Sequence, residues 1–568
     1  MSEKLKVTIE KGIERSPEEI SMKQDLQMNL LKRLCLGDAL KRSALREPKK
    51  EALVYSYKGN ITHRLTYEDL NKMANRFGNA LLKMGVEKGE ILAIISHNCT
   101  HFFVYSWASR KIGAIECPLN VALRGREITD LINHAEPKIL FVEDELVEHI
   151  KGLSKEMPSV EAYIMINLKK EIKLPEGWID CDELISDKYS DTEPEVIING
   201  NDPYQLLYTS GTEAMPKGVV LSHSNSYSAA MAIISDRGLT WHRNEVALLP
   251  IPLFHTAALC TTISGIINGI KIVMQYGSDV NEMISLIRGE KATATGLPPA
   301  MLVNFLSLEP NIKESLKQAM KSLRKIIIFG AAISEPLWKR IMEFFPDVEF
   351  INTYAQSENS PTITFLHHQN IITKTREAYE KYGGAEPVGI PCNNVELKIF
   401  DDNDNEVPPG TLGGFVVRGP LVMLGYYKEP EKTADVFKNG WLHTGDLGIM
   451  DEEGCFYFVD RQKDIVKTGG ENVSSFEVEQ EIMHHSKILQ AGVVGLPHPK
   501  WGEAITAFVV PNAGENPTEE EIIKHCKERI AGYKVPKKVV FLSAIPTNPS
   551  GKMLKKELRE KYKDLYSG

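Results

Sequence analysis

The segment "YTSGTEAMPKGVVLSH", Tyr208–His223, decides which phosphate-binding fold the 568-residue chain can adopt. Small hydroxyl side chains, glycines and a lysine follow a strand-like run, "YQLLY", and precede an amphipathic segment. Backbone N–H groups, hydroxyls and a lysine in one turn are a common setting for phosphate groups. The segment therefore predicts a phosphate-binding loop, and a polar surface loop is the alternative.

The spacing of this loop argues against the P-loop of kinases and ATPases. That loop follows the pattern G-x-x-x-x-G-K-[ST]. Counting from Gly211, the sixth position is Pro216, and the residue after Lys217 is Gly218. Because both key positions differ from the pattern, another kind of phosphate site is expected.

Composition limits the class of protein. The chain is 42% hydrophobic and 25% charged, which fits a globular protein with a sizeable core. Its net charge of -9 offers no basic field for nucleic acid. The eight cysteines are widely spaced and form no CxxC pair, so reduced thiols without a metal site are expected. The charged N-terminus lacks the apolar core of a signal peptide, and a cytoplasmic location is predicted.

One uncharged run, Val246–Ile270, is long enough to span a bilayer. Pro250, Pro252 and several polar residues interrupt it. We therefore expect a buried strand, loop and helix here, and no transmembrane segment.

Short apolar runs alternate with helical segments from about Leu65 to Gly389, which predicts an α/β fold with parallel-rich sheets flanked by helices. The predicted strands are Ile91–Ser96, Lys138–Asp144, Ala162–Asn167, Lys325–Gly330 and Val348–Tyr354. After Gly389 the pattern becomes β-rich. Serine or threonine three residues before glutamate predicts capping boxes at Ser474/Glu477 and Thr518/Glu521. The expected organisation is a large N-terminal domain with a β-rich subdomain and a small α+β C-terminal domain.

Four further motifs follow the loop in order. They are "YAQSE" (Tyr354–Glu358), "WLHTGD" (Trp441–Asp446), "DRQKDIVKTGGENV" (Asp460–Val473) and "PTNPSGKMLKKEL" (Pro546–Leu558). With the loop, the set resembles the signatures of the adenylate-forming superfamily, which includes acyl-CoA synthetases, peptide-synthetase adenylation domains and luciferases. It is most like an AMP-forming acyl-CoA synthetase, and the resemblance covers nearly all of the chain after about residue 30. It implies an AMP-binding domain at 1–460 and a mobile lid at 461–568.

The resemblance implies sites for ATP, Mg²⁺ and coenzyme A. The residues implied for the nucleotide and CoA are Thr209, Ser210, Gly211, Thr212, Lys217, Gly330, Ala331, Ala332, Thr353, Tyr354, Ala355, Gln356, Ser357, Asp446, Arg461, Lys463, Gly469, Gly470 and Lys552. The hydroxyl-rich loop would hold the β- and γ-phosphates, and Glu358 and Thr212 would ligate Mg²⁺. Tyr354 would stack on adenine, and Asp446 would accept the ribose hydroxyls with Arg461 assisting.

The implied chemistry joins a carboxylic acid to CoA. The carboxylate attacks the α-phosphate, with Lys552 bridging the two reactants and Glu358, Thr212 and Lys217 stabilising charge. The lid then turns about Lys463, Gly469 and Gly470 line the pantetheine tunnel, and the CoA thiol displaces AMP. Lysines in Gly532–Lys538 are candidates for the CoA phosphates, with a solvated face as the alternative.

The acyl substrate is only partly indicated. His255 and Gly330 lie in the implied acyl pocket, with the apolar runs Phe254–Leu259, Ala294–Pro299 and Phe329–Ile333. These runs favour a medium- or long-chain fatty acid. The alternatives are an aromatic acid, an enzyme that loads a carrier protein, and a non-catalytic nucleotide-binding protein. His255 could also be a hydrogen-bonded core residue, and the sequence leaves a homodimer open.

The loop departs from the superfamily pattern at Glu213, where threonine or serine is usual, and at Ala214, where glycine is usual. A carboxylate about 4 Å from one phosphate charge costs about 4 kcal/mol at an effective dielectric constant of 20. We therefore expect Glu213 to point away from the phosphates and the loop to be a working variant; a pseudoenzyme is the alternative. Ala355 and Ser357 are smaller departures that keep the size and the hydroxyl.

Overall fold

The computed structural model describes residues 17–209, 216–236, 242–547 and 552–566. The helices are α1 Pro17–Lys32, α2 Leu36–Arg46, α3 Tyr67–Lys83, α4 Thr100–Ile112, α5 Arg126–Ala135, α6 Val147–Lys151, α7 Cys181–Leu184, α8 His223–Ser235, α9 Thr256–Asn268, α10 Val280–Glu290, α11 Pro299–Ser307, α12 Pro310–Met320, α13 Glu335–Phe344, α14 His368–Lys381, α15 Pro430–Val436, α16 Ser475–Met483, α17 Glu519–Lys527 and α18 Lys555–Tyr562.

The first strands are β1 Glu51–Tyr57, β2 Asn60–Thr66, β3 Ile91–Ile95, β4 Ile115–Leu119, β5 Ile139–Glu143, β6 Ala162–Ile166, β7 Ile179–Asp180, β8 Pro203–Thr209, β9 Lys217–Ser222, β10 Val246–Leu249, β11 Lys271–Gln275, β12 Ala294–Leu297, β13 Lys325–Ile328 and β14 Glu349–Tyr354. The later strands are β15 Thr364–His367, β16 Glu386–Pro391, β17 Glu396–Phe400, β18 Gly413–Arg418, β19 Gly425–Tyr426, β20 Phe437–Lys438, β21 Trp441–Met450, β22 Phe456–Arg461, β23 Val466–Thr468, β24 Glu471–Val473, β25 Ile488–His498, β26 Gly502–Pro511 and β27 Lys538–Phe541.

Within the described residues the strands form three sheets, of 14, 8 and 5 strands. The largest runs β17-β18-β21-β22-β16-β15-β14-β13-β12-β10-β11-β1-β2, with β20 beside β21, and is parallel from β14 to β1. The second runs β19-β9-β8-β4-β3-β5-β6-β7 and is parallel except at β9 and β19. The third, β24-β23-β26-β25 with β27 beside β26, lies entirely after Arg461. This confirms the predicted α/β class, with a large N-terminal and a small C-terminal domain.

Helices α2 to α4 pack between the two large sheets and build the main core. One apolar cluster joins side chains of α3 and α4 to β1 of the first sheet and to β3 and β5 of the second. Every residue of α4 is buried, which explains why its sequence shows no continuous polar face. The two sheets are thus held at fixed positions, and the strand ends that carry the motifs are held with them.

A buried ion pair lies beneath the strand that leads to the phosphate loop. Arg110 of α4 donates to Glu116 of β4 at 2.8 Å, and both side chains are fully buried. Gln205 of β8 donates to the same Glu116 oxygen at 2.7 Å, and the Arg110 guanidinium lies over the rings of Trp107 and Tyr204. Because Gln205 belongs to β8, which ends at Thr209, the ion pair is bonded to the strand that leads to the predicted loop.

The run Val246–Ile270 folds as predicted, into β10, a loop and α9. A search of the described part of the chain finds no helix that is both long and apolar enough to cross a membrane. The five strands predicted from apolar runs are also confirmed, as β3, β5, β6, β13 and β14.

The two predicted capping boxes are only half formed. Ser474 and Thr518 accept the backbone N–H groups of Glu477 and Glu521, as expected of N-cap residues. The glutamate side chains do not turn back to the N-cap. Glu477 binds Lys534 at 2.7 Å, and Glu521 binds Lys487 at 2.9 Å. A full ammonium partner thus replaces the weaker bond to one backbone N–H group.

Candidate active site

The site forms where the carboxyl ends of parallel strands of the largest sheet meet the β8–β9 hairpin of the second sheet. Gly330 follows β13, Tyr354 ends β14, and the short helical turn Ser357–Asn359 comes next. Across the hairpin, Thr209 is paired with Lys217. Ligands of α/β folds bind outside the carboxyl ends of parallel strands, so this edge is the expected position for a nucleotide.

Asp446 is held by two residues of the "YAQSE" motif. The Tyr354 hydroxyl donates to Asp446 Oδ2 at 2.6 Å, and Gln356 Nε2 donates to the same oxygen at 2.7 Å. Arg461 Nε lies 3.7 Å from Oδ1. Asp446 is 3% exposed, so its carboxylate is fixed before any ligand binds. The structure therefore brings three sequence-predicted nucleotide residues together around one carboxylate.

Lys217 and Glu358 meet at a residue that the sequence analysis missed, Tyr426. Its hydroxyl donates to Glu358 Oε1 at 3.0 Å, and Lys217 Nζ lies 5.0 Å from its ring centroid. Glu358 lies in the helical turn after β14 and Lys217 begins β9 of the second sheet, 141 positions apart in the chain. The "GYY" run that holds Tyr426 carries aromatic residues beside a glycine, but nothing in it indicates a carboxylate partner.

Lys552 belongs to the C-terminal domain and lies near Asp446. Asp446, Arg461 and Lys463 all act on it electrostatically. Burial, together with the neighbouring cations Arg461 and Lys463, lowers the pKa of Lys552 to about 7. A nucleotide phosphate would favour the charged ammonium, so this lysine is suited to meet an anion. Lys463 itself is exposed.

Gly469 and Gly470 lie on the surface of the C-terminal domain, in positive-φ conformations of +61° and +90°. Side chains are strained in this region, which accounts for glycine at both positions. The Gly469 N–H donates to the Trp501 carbonyl at 2.9 Å. The ring of Trp501 stacks on His498 and has Lys500 and Lys537 within about 5.4 Å of its centroid. This surface combines an open backbone, an aromatic face and two ammonium groups.

His255 precedes α9 beside the site, where Thr256 Oγ1 lies 3.5 Å from Ser357 Oγ. Burial lowers the pKa of His255 to about 4, so its ring is neutral. Its Nε2 atom is buried and has no hydrogen-bond partner among the described residues. The two interpretations of His255, a pocket residue or a core histidine, both stay predictions. On the next strand ends, the Phe329 ring fills the space over Gly296, where a Cβ atom would lie 2.9 Å from it.

Glu386 is a buried carboxyl group that the sequence analysis missed. Its Oε1 accepts from the Ile333 backbone N–H at 3.0 Å and from Asn352 Nδ2 at 3.1 Å. It therefore joins β16 to the segment that contains Gly330, Ala331 and Ala332. Burial raises the pKa of Glu386 to about 8, above the usual 4.5, despite these two donors. This raised pKa predicts a protonated carboxyl group at neutral pH.

Replacing Glu386 with glutamine is expected to make stability less dependent on pH. The pKa of Glu386 is higher in the folded state than in the unfolded chain, so its protonated carboxyl group contributes to the free energy of unfolding. This contribution is complete below pH 4.5 and is lost as the pH rises toward 8. Between pH 5 and pH 7 the wild type should lose about 2 kcal/mol of its free energy of unfolding relative to Glu386→Gln. Urea unfolding at both pH values measures this. An equal change in both proteins would show that Glu386 is ionised in the fold.

Not every predicted site residue can be placed. Ser210, Gly211, Thr212, Glu213 and Ala214 lie outside the described residues. The predictions on phosphate binding, on the second Mg²⁺ ligand and on the direction of Glu213 therefore stay predictions. Thr353 and Ala355 lie beside Tyr354, half-buried, and Thr353 Oγ1 is a buried atom without a partner in the described part of the chain.

The donor set fits a nucleotide with Mg²⁺. No group of three or more His, Cys, Asp or Glu residues that could hold a metal occurs within the ranges the structure describes. Mg²⁺ is usually bound by one or two carboxylates together with substrate phosphates, so the single carboxylate of Glu358 suits it. The Thr353 hydroxyl and the His255 Nε2 atom have no hydrogen-bond partner among the described residues, so both are available to bond to substrate atoms.

Comparison with known proteins decides the family. The model of the AMP-binding enzyme family matches residues 40–427, and that of the AMP-binding enzyme C-terminal domain matches residues 477–552. This chain belongs to the AMP-binding enzyme family. The match confirms the resemblance to adenylate-forming enzymes, and the AMP-binding enzyme described here is an acid–thiol ligase.

This AMP-binding enzyme is similar to proteins with related names. It is 32% identical over 533 residues to the long-chain-fatty-acid–CoA ligase FadD13 of Mycobacterium tuberculosis, covering 93% of this chain and 98% of the relative. It is 30% identical over 503 residues to the fatty acid–[acyl-carrier-protein] ligase ScoC of Streptomyces coeruleorubidus, covering 88% and 92%. The crystal structure of ATP-bound MatB from Rhodopseudomonas palustris aligns with a TM-score of 0.80 at 25% identity, covering 93% and 99%.

Proposed function

We propose that this chain is an ATP- and Mg²⁺-dependent acyl-CoA ligase that acts on a medium- or long-chain fatty acid. The observation that carries the proposal is Lys552 of the C-terminal domain, which interacts electrostatically with Asp446 and Arg461 of the predicted nucleotide site. Such a cation serves a reaction in which two anions, a carboxylate and a phosphate, must meet.

In the first step the substrate carboxylate oxygen attacks the α-phosphorus of ATP. The bond to the β-phosphate breaks, and pyrophosphate leaves with its electron pair. Asp446, held by Tyr354 and Gln356, orients the ribose, while Lys552 neutralises charge between the reactants. Mg²⁺ at Glu358 would supply positive charge to the phosphate oxygens. The product is acyl-AMP.

In the second step the CoA sulfur attacks the acyl carbon, the bond from that carbon to the AMP phosphate oxygen breaks, AMP leaves with the electron pair, and the thiol proton passes to solvent. We propose Lys463 as the hinge about which the domain at 461–568 turns, bringing Gly469 and Gly470 to the site. The Trp501 ring with Lys500 and Lys537 beside it suits a nucleotide base and phosphates, which is the chemistry of the far end of CoA. Lys537 lies in Gly532–Lys538, the segment predicted to contact CoA.

The fatty-acid substrate rests on two observations. Apolar side chains such as Phe254 and Phe329 belong to the predicted acyl pocket. The histidine predicted for the same pocket, His255, is neutral because burial lowers its pKa. Relatives named for fatty acids cover most of the chain. They differ in the thiol acceptor, so a carrier protein is the second candidate. The domain boundary after residue 460, a homodimer and a cytoplasmic location stay predictions.

A panel of acids with ATP, Mg²⁺ and either CoA or a carrier protein tests the proposal. We expect AMP release that depends on both acid and CoA, with the highest kcat/KM for fatty acids of about 8 to 16 carbons. AMP release with a carrier protein but not with CoA would favour the second candidate. No AMP release with any acid would contradict ligase activity.

Asp446→Ala is expected to weaken ATP use at least tenfold in KM, because the ribose loses its fixed carboxylate acceptor. The KM for the acid should change little. Steady-state kinetics with varied ATP and varied acid separate the two effects, with the surface variant Asp402→Ala as the control. An unchanged KM for ATP would refute the ribose assignment.

A further inference from the structure

We propose that Tyr426 is a positioning residue that couples the carboxylate of Glu358 to the ammonium group of Lys217. The inference rests on the proposed function, in which Glu358 faces Mg²⁺ and Lys217 faces the triphosphate. One side chain contacts both groups, with its hydroxyl on Glu358 Oε1 and its ring face toward Lys217 Nζ.

The hydroxyl fixes one oxygen of Glu358 and leaves the other for a cation. A carboxylate that accepts a hydrogen bond on Oε1 has its rotamer set before the metal arrives, so less ordering remains on binding. Tyr426 is 9% exposed, so its own conformation is held by packing. Glu358 is thus presented in one orientation.

The ring acts on the second group. Lys217 Nζ lies 5.0 Å from the ring centroid, within the range in which an ammonium is attracted to an aromatic face. The contact restricts a flexible lysine without removing its charge. A tyrosine ring at this position therefore orients the phosphate lysine and the metal carboxylate together.

The backbone around Tyr426 ties the two segments that it contacts. Met423 N–H donates to the Glu358 carbonyl at 2.8 Å, while Leu424 and Tyr427 N–H groups donate to β9, at the Val220 and Gly218 carbonyls. The backbone N–H of Tyr426 itself donates to Thr433 Oγ1 at 2.9 Å. Residues 423–427 thus bridge the strand that begins with Lys217 and the turn that contains Glu358. The side chain of Tyr426 continues this bridge into the site.

Two substitutions separate the roles of the hydroxyl and the ring. Tyr426→Phe removes the bond to Glu358 and keeps the ring, whereas Tyr426→Leu removes both. Tyr427→Phe is the matched control, because that neighbouring hydroxyl contacts only the Ala135 carbonyl, at 3.5 Å, among the bonds that the structure describes. Glu358→Gln serves as the reference for loss of the metal carboxylate.

The readout is the dissociation constant of ATP, measured by calorimetry with and without Mg²⁺ in the absence of acid and CoA. Mg²⁺ should increase the affinity of the wild type for ATP, and for Tyr426→Phe we expect this increase to be about fivefold smaller. The affinity of Tyr426→Phe for ATP without Mg²⁺ should stay within twofold of the wild type. For Tyr426→Leu we expect Mg²⁺-free affinity to fall about threefold as well. Tyr427→Phe should match the wild type, and circular dichroism verifies that each variant is folded.

Three outcomes would overturn the inference, and they are distinguishable. If Glu358→Gln loses the Mg²⁺ effect and Tyr426→Phe retains it, Tyr426 does not position the carboxylate, and the proposed function stands. If Glu358→Gln also retains the full Mg²⁺ effect, the assignment of Mg²⁺ to Glu358 fails, and with it the role of Tyr426. A fall in Tyr427→Phe equal to that in Tyr426→Phe would show a general packing effect and would also overturn it.

Discussion

Lys552→Ala is expected to slow acyl-AMP formation by about 10²–10³, by analogy with the loss of one oxyanion-hole donor. The substitution removes a cation that lies beside Asp446 and Arg461, where the α-phosphate would react. Conversion of supplied acyl-AMP and CoA to acyl-CoA should survive, because the proposed rotation carries Lys552 away before the second step. Lys556→Ala, an exposed position on α18, is the control and should leave both steps unchanged.

Gly469→Leu is expected to give the opposite pattern. A side chain at this exposed position would enter the proposed pantetheine tunnel, so acyl-CoA formation should stop while pyrophosphate exchange continues. Leucine at a φ of +61° also carries local strain of about 1–2 kcal/mol. Gly514→Leu controls for that strain, because Gly514 also has a positive φ, of +83°, and open space around it.

Pyrophosphate exchange and conversion of added acyl-AMP, measured on both variants, test the two-conformation mechanism. Loss of opposite half-reactions in the two variants is the expected result. Equal loss of both half-reactions in each folded variant would mean that one arrangement of the domains serves both steps.

Glu116→Ala is expected to lower the free energy of unfolding by about 3–5 kcal/mol. The change leaves the Arg110 guanidinium fully buried without its carboxylate. It also removes the acceptor of Gln205, which lies on β8, the strand that leads to the predicted phosphate loop. Urea unfolding measures the loss.

Two control variants test whether the loss of stability comes from leaving the Arg110 charge buried without a partner. The double variant Arg110→Met/Glu116→Leu should recover most of the stability, because an apolar pair of similar volume often replaces a buried ion pair at little cost. Glu148→Ala breaks a solvent-exposed pair with Lys151 and should change stability by less than about 1 kcal/mol. A cost for Glu116→Ala as small as that of Glu148→Ala would show that the Arg110 charge reaches water.

Local sequence patterns predicted the parts of this fold that depend on neighbours in the chain. Strands β3, β5 and β14 are short apolar runs bounded by turns, and the run at 246–270 becomes a strand and a helix because prolines separate them. The motif residues Tyr354, Asp446 and Lys552 were found for a different reason. Their roles were implied by an ordered set of motifs; the family match confirms the family, and the roles stay predictions.

The remaining features depend on partners that are distant in the sequence. The pKa of Glu386 is raised because folding buries its carboxyl group, even though Ile333 and Asn352 donate to it, and its own neighbours in the chain indicate no such burial. Tyr426 and Glu358 are 68 positions apart, and no periodicity relates them. The capping boxes were half wrong for the same reason, since the lysines that bind Glu477 and Glu521 come from other segments.

One isotope experiment tests the central claim most directly. A fatty acid labelled with ¹⁸O in both carboxylate oxygens is converted with ATP, Mg²⁺ and CoA, and the products are analysed by mass spectrometry. Attack of the carboxylate on the α-phosphorus, followed by displacement at the acyl carbon, predicts one ¹⁸O atom in AMP, one in the thioester carbonyl and none in pyrophosphate. Formation of acyl-CoA with unlabelled AMP, or with label in pyrophosphate or phosphate, would contradict an acyl-adenylate intermediate.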